Sequence, residues 1–298
     1  MSYASEVRDE LCRSIPEKRC CLLAECYGIL LYCNTFSRQE VRIVTEHRGF
    51  AERLPRLFRR TFGVDFDQFP SLEMPGKLSF VIDDPEKLLR IFSAYGLELK
   101  TMAMQINLGM LEEPCCKKSF LRGAFLSGGS VTDPDKRYHL ELVTGHRKVS
   151  DGAHSLLYEL DLEPKDASRA GGSILYFKQS DQIVDFLTMI GAPISAMKII
   201  QAKMEKELRN RANRRVNCDT ANLGKAVDAA QEQLAAIRRL RAQGRFESLP
   251  EKLRAAALLR EESPEATLSE LAEAVDPPVS KPAMSHRMQR LIRLSREE

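Results

Sequence analysis

The sequence contains no tryptophan, only five histidines and no apolar run long enough to cross a membrane. A membrane-spanning helix needs about 18 or more consecutive apolar residues, so we expect no membrane-spanning helix. Residues 1–14 include acids and lack the apolar stretch of a secretory signal. We therefore expect a cytoplasmic protein that makes no membrane contact.

Metal-binding and disulfide patterns are also lacking. The eight cysteines include no Cys-x-x-Cys pair. Cys20–Cys21 and Cys115–Cys116 are adjacent pairs, which match neither the usual zinc spacing nor a disulfide framework. Reduced cysteines of a cytoplasmic protein usually pack as small apolar side chains. The sequence therefore predicts no metal ion and no cofactor.

The length and charge distribution indicate two domains with different partners. A chain of 298 residues exceeds the usual size of one domain. The net charge is +5 from residue 194 onward and −2 over the preceding 193 residues. An excess of basic residues in one part of a chain is typical of nucleic-acid binding. We therefore expect the C-terminal third to carry a DNA-binding unit.

An internal repeat organises the first 193 residues. Apolar helical segments at 21–33 and 120–129 each contain a glycine, Gly28 or Gly123, which indicates that another backbone approaches closely. In both copies a strand, an amphipathic helix, a second strand and a closing helix follow. The predicted strands are 40–45, 77–82, 138–144 and 173–178, and the closing helices are 86–95 and 181–190. The two copies are 95 residues apart at the helix glycines, 99 at His47 and His146, and 95 again at the end.

The apolar helices resemble the motif of LAGLIDADG homing endonucleases, closely at 121–130 and more weakly at 26–34. In active members two facing acids near the motif end hold divalent metal at the scissile phosphates. Cys33 and Gly128 occupy those positions, and neither side chain binds magnesium. Asp133 and Asp135 lie downstream in a turn sequence that the first copy lacks. We therefore expect that the chain is not an enzyme.

Three further phrases, at 122–131, 213–222 and 276–281, resemble the WhiA family of sporulation and cell-division regulators of Gram-positive bacteria. The resemblance covers essentially the whole chain. It implies an α+β fold, with duplicated LAGLIDADG-like αββαββα half-domains followed by an all-α helix-turn-helix domain. The implied domains are 1–193, with half-domains at about 1–97 and 115–193, a basic helical connector at 194–248 and the helix-turn-helix at 249–298. Packed half-domains would form a saddle wide enough for a duplex.

The connector carries its own prediction of DNA contact. Residues 194–215 form a basic helix in which Arg209, Arg214 and Arg215 are candidate phosphate contacts. The alternative is a solvated charged face. Asparagine favours caps and turns, so we place a joint at 213–222 and a second helix at 223–241. Asn217 either caps that helix or contacts a phosphate.

The last 50 residues predict three helices. Pro250 opens the first, and Thr267 opens the second in a capping box with Glu270. Prolines at 277–278 force a turn, and Ser280 caps the third helix. Its predicted inward positions are Met284, Met288, Leu291 and Ser295.

The third helix, within a helix-turn-helix at 267–298, is the candidate recognition helix. Ser285, His286 and Arg287 are the candidate contacts to base edges, since N-terminal residues of a recognition helix lie nearest the bases. The candidate phosphate contacts are Lys281, Arg290 and Arg293. The alternatives are a basic helix that packs on a protein partner, and a packing or solvated role for His286.

These features favour a sequence-specific transcription regulator, with double-stranded promoter DNA as partner and the nucleoid as its place of action. The family resemblance implies a role in cell division, chromosome segregation or sporulation. The alternatives are a homing-type endonuclease and a DNA-associated adaptor that works mainly through other transcription or division proteins. Residues 1–193 would add DNA affinity or bind such partners.

Overall fold

The computed structural model describes residues 2–72, 76–97, 104–169 and 172–297. The chain divides into two compact units, Met1–Lys206 and Glu207–Glu298. The first unit combines helices with two antiparallel sheets, and the described residues of the second contain helices and connecting turns. The predicted α+β class is confirmed.

Helix α1 (Tyr3–Cys12) precedes the repeat and is absent from the sequence prediction. Its N-cap is Ser2, whose side chain accepts a hydrogen bond from the Ser5 amide. Tyr3, Val7 and Leu11 recur every four residues and are buried on one helical face. The Tyr3 hydroxyl donates to the Ser195 carbonyl oxygen at 2.6 Å. Helix α1 therefore belongs to the core of the first unit.

Within its described residues, the first copy of the repeat contains one strand fewer than the predicted pattern. Its elements are α2 (Arg19–Tyr32), β1 (Thr35–Phe36), β2 (Val41–Thr45), α3 (Arg48–Phe62), β3 (Leu78–Ile82) and α4 (Pro85–Ala94), with sheet order β1-β2-β3. In place of the missing strand, Gln68 forms an isolated bridge with Val81. Pro70 follows closely, and proline cannot donate a ladder hydrogen bond.

The second copy has the complete αββαββα order and confirms the predicted half-domain. Its elements are α5 (Pro114–Gly128), β4 (Gly129–Val131), β5 (Leu140–Thr144), α6 (Arg147–Glu159), β6 (Lys165–Arg169), β7 (Gly172–Phe177) and α7 (Ser180–Ile190). The strands pair in the order β4-β5-β7-β6, antiparallel throughout. A short 3-10 turn, Leu108–Met110, precedes this copy.

Helices α2 and α5 pack against each other at their glycines. A Cβ atom on Gly28 would lie 2.1 Å from the Phe120 carbonyl oxygen, and one on Gly123 would lie 2.0 Å from the Glu25 carbonyl oxygen. Real Cβ atoms essentially never approach a neighbour so closely. The predicted close backbone approach is therefore confirmed, and only glycine fits both positions.

The predicted joint at 213–222 is wrong. A single helix, α8 (Pro193–Ala242), runs through this segment without a break. Residues 213–222 contain neither proline nor glycine, and asparagine is only mildly unfavourable inside a helix. Three helices follow α8, namely α9 (Glu251–Glu262), α10 (Leu268–Ala274) and α11 (Lys281–Leu294).

The two hydrophobic cores extend into the segment predicted as a connector. Ala196 and Ile199 of α8 belong to the core of the first unit. Ile237, Leu240 and Phe246 belong to the core of the second. Among the described residues, no helix combines the length and the apolar character that crossing a bilayer requires.

Candidate nucleic-acid interface

Helices α10 and α11 begin at the caps that the sequence predicts. The Thr267 hydroxyl accepts a hydrogen bond from the Glu270 amide at 3.3 Å, and the Glu270 carboxylate accepts one from the Thr267 amide at 2.7 Å. The capping box is therefore complete. At the start of α11, the Ser280 hydroxyl accepts a hydrogen bond from the Ala283 amide at 3.4 Å. These caps fix where the candidate recognition helix starts.

One face of α11 is buried and the opposite face is exposed. The four predicted inward residues, Met284, Met288, Leu291 and Ser295, are all buried. This face packs mainly on α9 and α10. The predicted trihelical arrangement is therefore present, and the polar face of α11 is exposed.

The candidate DNA contacts of α11 differ in exposure. Lys281, His286, Arg290 and Arg293 are exposed, whereas Ser285 and Arg287 are half-buried at the flanks of the exposed face. Within the part of the chain that the structure describes, no ion pair engages Lys281, Arg287, Arg290 or Arg293. We call these four residues the cationic face of α11. Arg296 lies outside it, because its guanidinium pairs with Glu232 of α8 at 2.6 Å.

Arg260 holds the support of α11 together and was not singled out by the sequence. Its side chain is buried, and Nε donates to Gln233 Oε1 of α8 at 2.9 Å. Nη1 donates to the Ala266 carbonyl oxygen at 2.6 Å and also reaches the carbonyls of Ser263 and Pro264. A buried guanidinium with these oxygen partners fixes the turn between α9 and α10. Burial lowers the pKa of Arg260.

Basic residues in the first half of α8 differ in their partners. Lys198 pairs with Glu6 at 2.6 Å and Lys203 with Asp181 at 2.7 Å, so both are engaged within the first unit. Arg209, Arg214 and Arg215, the candidate phosphate contacts, are exposed. Every residue from 207 to 228 is exposed, and this stretch includes the apolar side chains of Leu208, Val216, Leu223 and Val227.

The positions that carry metal-binding acids in LAGLIDADG enzymes are closely packed. The Cys33 thiol is half-buried and lies 3.1 Å from the carbonyl oxygens of both Leu30 and Thr35, either of which can accept its single S–H. A Cβ atom on Gly128 would lie 2.4 Å from the Val143 carbonyl oxygen. Neither position carries a carboxylate, and position 128 has no space for a side chain.

The downstream acids lie in the predicted turn. Asp133 Oδ1 accepts a hydrogen bond from the Asp135 amide at 2.9 Å, and the Asp133 carbonyl oxygen accepts one from the Lys136 amide at 3.0 Å. Asp133 therefore stabilises its own turn.

Family models match most of the chain. The WhiA LAGLIDADG-like domain matches residues 117–209, and the WhiA C-terminal HTH domain matches residues 212–295. The chain belongs to the WhiA family. The resemblance inferred from the three phrases is confirmed, and a helix-turn-helix of the WhiA type includes all of α11.

Curated relatives and solved structures agree with the WhiA assignment. Two relatives are named "Probable cell division protein WhiA". The one from Alkaliphilus metalliredigens is 33% identical, and the match covers 100% of this chain and 98% of the relative. The one from Ruminiclostridium cellulolyticum is 36% identical, and the match covers 98% of this chain and 96% of the relative. The crystal structure of full-length WhiA from Thermatoga maritima has a TM-score of 0.63 at 22% identity, and the match covers 99% of this chain and 98% of that one. The relatives carry the name of a cell-division protein and not of an enzyme.

This WhiA-family chain has one further group of chemically active side chains. The Sγ atoms of Cys20, Cys21, Cys115 and Cys116 lie within 4.8 Å of one another, and we call them the four-cysteine cluster. The expectation that these cysteines act only as separate small apolar side chains overlooks this cluster. The signal was present, because the two pairs are 95 residues apart, the offset of the repeat at its helix glycines.

Proposed function

We propose that this chain is a sequence-specific DNA-binding transcription regulator of genes for cell division, chromosome segregation and sporulation, and that it acts on promoter DNA at the nucleoid. The observation that carries the proposal is the cationic face of α11, whose four basic side chains form no ion pair among the described residues and which lies on a capped trihelical support with a buried core. Such a helix fits the major groove, where each base pair presents a distinct pattern of donors and acceptors.

The exposure of each residue suggests its role on DNA. His286, near the N-terminus of α11 on its exposed face, would point toward the base edges together with its neighbours Ser285 and Arg287. Lys281, Arg290 and Arg293 would contact phosphates and so set the register of the helix. Arg209, Arg214 and Arg215 of α8 would add contacts that do not depend on the base sequence.

We further propose that the chain does not cleave DNA. A two-carboxylate metal centre at the scissile phosphates is needed for LAGLIDADG chemistry. Cys33 and Gly128 supply no carboxylate, and the acids of the 132–135 turn have no counterpart in the first copy.

A second candidate function is that of an adaptor that holds other transcription or division proteins on DNA. Apolar side chains on an exposed helix favour it: Met204, Leu208, Val216 and Leu223 of α8 are each at least 60% exposed. Apolar surface of this kind is typical of protein interaction sites. This function would act together with DNA binding by α11.

Selection of bound duplexes from a random pool, with the full chain and with an Arg287→Ala/Arg290→Ala variant, tests the main proposal. We expect the full chain to enrich one sequence motif and the variant to enrich none while remaining folded. Enrichment of the same motif by both chains would contradict base reading by α11. Enrichment of no motif by the full chain, with binding to all duplexes alike, would favour the adaptor.

A further inference from the structure

The four-cysteine cluster has nearly the dimensions of a tetrahedral metal site. In such a site each thiolate lies about 2.3 Å from the ion, so the sulfur atoms are about 3.8 Å apart. The Cys20 and Cys21 sulfurs are 4.0 Å apart, and no pair in the cluster exceeds 4.8 Å. Small side-chain rotations would bring the sulfur atoms to the distances of a tetrahedral site.

We propose that the four-cysteine cluster binds one thiophilic divalent ion of the zinc class, and that this ion joins α2 to α5. Four sulfur ligands in a tetrahedron are typical of zinc. An iron–sulfur cluster distributes its thiolates over different iron atoms and so separates the sulfurs further. The compact cluster therefore favours a single ion.

The surroundings of the cluster suit the negative charge of a tetrathiolate site. Cys20 and Cys21 lie in the first turn of α2, and Cys115 and Cys116 in the first turn of α5. Neither helix start has a side-chain cap, and the positive ends of two helix dipoles lie close to the sulfurs.

Two neighbouring side chains add to this environment. The Ser119 hydroxyl forms a hydrogen bond with Cys21. The positive charge of Lys18 favours the thiolate form of Cys115. Hydrogen bonds of this kind orient metal ligands.

The proposed site is separate from the LAGLIDADG-like motif positions Cys33 and Gly128. Cys21 and Cys33 lie at opposite ends of α2, about 18 Å apart along the helix. Each helix contributes two ligands, so the ion would connect the two half-domains at one end of the α2–α5 pair. The role of the ion would therefore be structural, like that of a closed four-ligand zinc site.

Metal analysis of the intact chain, purified under reducing conditions with added zinc, is the direct test. We expect one zinc per chain in the wild type and none in a Cys20→Ser/Cys115→Ser variant, which changes the two less buried ligands. Cys218→Ser is the matched control, because Cys218 is exposed on α8, and this variant should retain the ion. Cobalt in place of zinc should give the visible d–d bands of a tetrahedral thiolate complex.

Thiol reactivity in the wild-type chain gives a second test that needs no variant. Zinc should slow alkylation of Cys20 and Cys115 many-fold without changing the rate at Cys218, and a chelator should reverse the protection. Equal rates with and without zinc, or zinc retained by the Cys20→Ser/Cys115→Ser variant, would overturn the proposal. So would a disulfide within the cluster or an iron–sulfur absorption spectrum in the purified chain.

Discussion

Gly28 and Gly123 make the same contact from opposite sides of one helix pair. Each glycine faces a carbonyl oxygen of the other helix, Gly28 that of Phe120 and Gly123 that of Glu25. Glu25 and Phe120 are 95 residues apart, as are the two glycines. The repeat in the sequence is therefore a pseudo-twofold relationship at the centre of the first unit.

A methyl group at this crossing should destabilise the first unit. Gly28→Ala places a Cβ atom 2.1 Å from a backbone oxygen, so the helices must separate. We expect the free energy of unfolding to fall by about 1–3 kcal/mol or more, measured by urea denaturation with tyrosine fluorescence. Gly224→Ala is the control, because Gly224 has no neighbour within 4 Å inside α8 and alanine favours helix there. Equal stability of the Gly28→Ala variant and the wild type would contradict the close contact.

Removal of the Arg260 guanidinium should loosen the support of α11. Arg260→Met leaves Gln233 and the carbonyl groups near Ala266 without their buried donor. We expect the free energy of unfolding of the second unit to fall by about 2–4 kcal/mol, which would appear as faster amide hydrogen exchange in α9–α11. Arg254→Met, on the same helix and more exposed, should change exchange little. Unchanged protection in the Arg260→Met variant would show that the turn does not depend on this side chain.

Acid should weaken the first unit through His47. The Nδ1 atom of His47 accepts a hydrogen bond from the Phe50 amide at 3.1 Å and so caps α3. Burial lowers the pKa of His47, and Asp9 partly opposes this effect. The unfolded chain, with an ordinary histidine pKa of about 6.5, then binds protons more readily than the folded chain. The neutral, capping form of His47 therefore stabilises the fold above about pH 6.5, and this contribution to stability is lost as the pH falls below that value.

His47→Asn keeps a capping side chain and removes the titrating group. We expect the free energy of unfolding of this variant to fall less than that of the wild type between about pH 7.5 and 5.5. Burial lowers the pKa of His146 as well, so part of the pH dependence should remain. His286→Asn, on the exposed face of α11, should behave as the wild type does. An identical pH profile in the His47→Asn chain would exclude His47 as the source.

Periodicity and caps predict most of this architecture because they are local signals. The capping box at Thr267 and the inward positions of α11 need only nearby residues, and both are confirmed. The joint at 213–222 is wrong because a weak local preference of asparagine does not interrupt a long helix.

Features that depend on distant residues were missed. Arg260 joins Gln233 to a turn, and this contact has no periodic signature. The four-cysteine cluster follows from applying the repeat offset to cysteines, since the fold and not the local spacing brings the two pairs together. Long-range symmetry was therefore a better guide to this cluster than motif spacing.

Two arginines of α11 should give different binding defects. Arg287→Ala should weaken binding to a selected target by about 1–3 kcal/mol and leave binding to random duplex nearly unchanged. Arg290→Ala should weaken both and lower the slope of log K against log salt by about 0.9. Fluorescence anisotropy at several salt concentrations measures both quantities. Equal losses on target and random DNA for Arg287→Ala would refute a base contact by that residue.

Placing acids at the motif positions 33 and 128 should not produce DNA cleavage. The Cys33→Asp/Gly128→Asp variant introduces two carboxylates, but a Cβ atom at position 128 meets the Val143 carbonyl oxygen at 2.4 Å and the Tyr32 ring at 3.0 Å. A side chain at position 128 therefore has no room unless its neighbours move, and the overpacking should cost about 1–3 kcal/mol of stability. We expect plasmid DNA to stay intact with magnesium or manganese, for the wild type and the variant alike.

The turn acids provide the control for this cleavage assay. If the wild type cut plasmid DNA and Asp133→Asn abolished the cutting, Asp133 would be a metal ligand of the cleavage site. The structure argues against that outcome, because Asp133 Oδ1 is engaged by the Asp135 amide. A carboxylate that holds its own turn is poorly placed to hold a metal ion at a scissile phosphate as well.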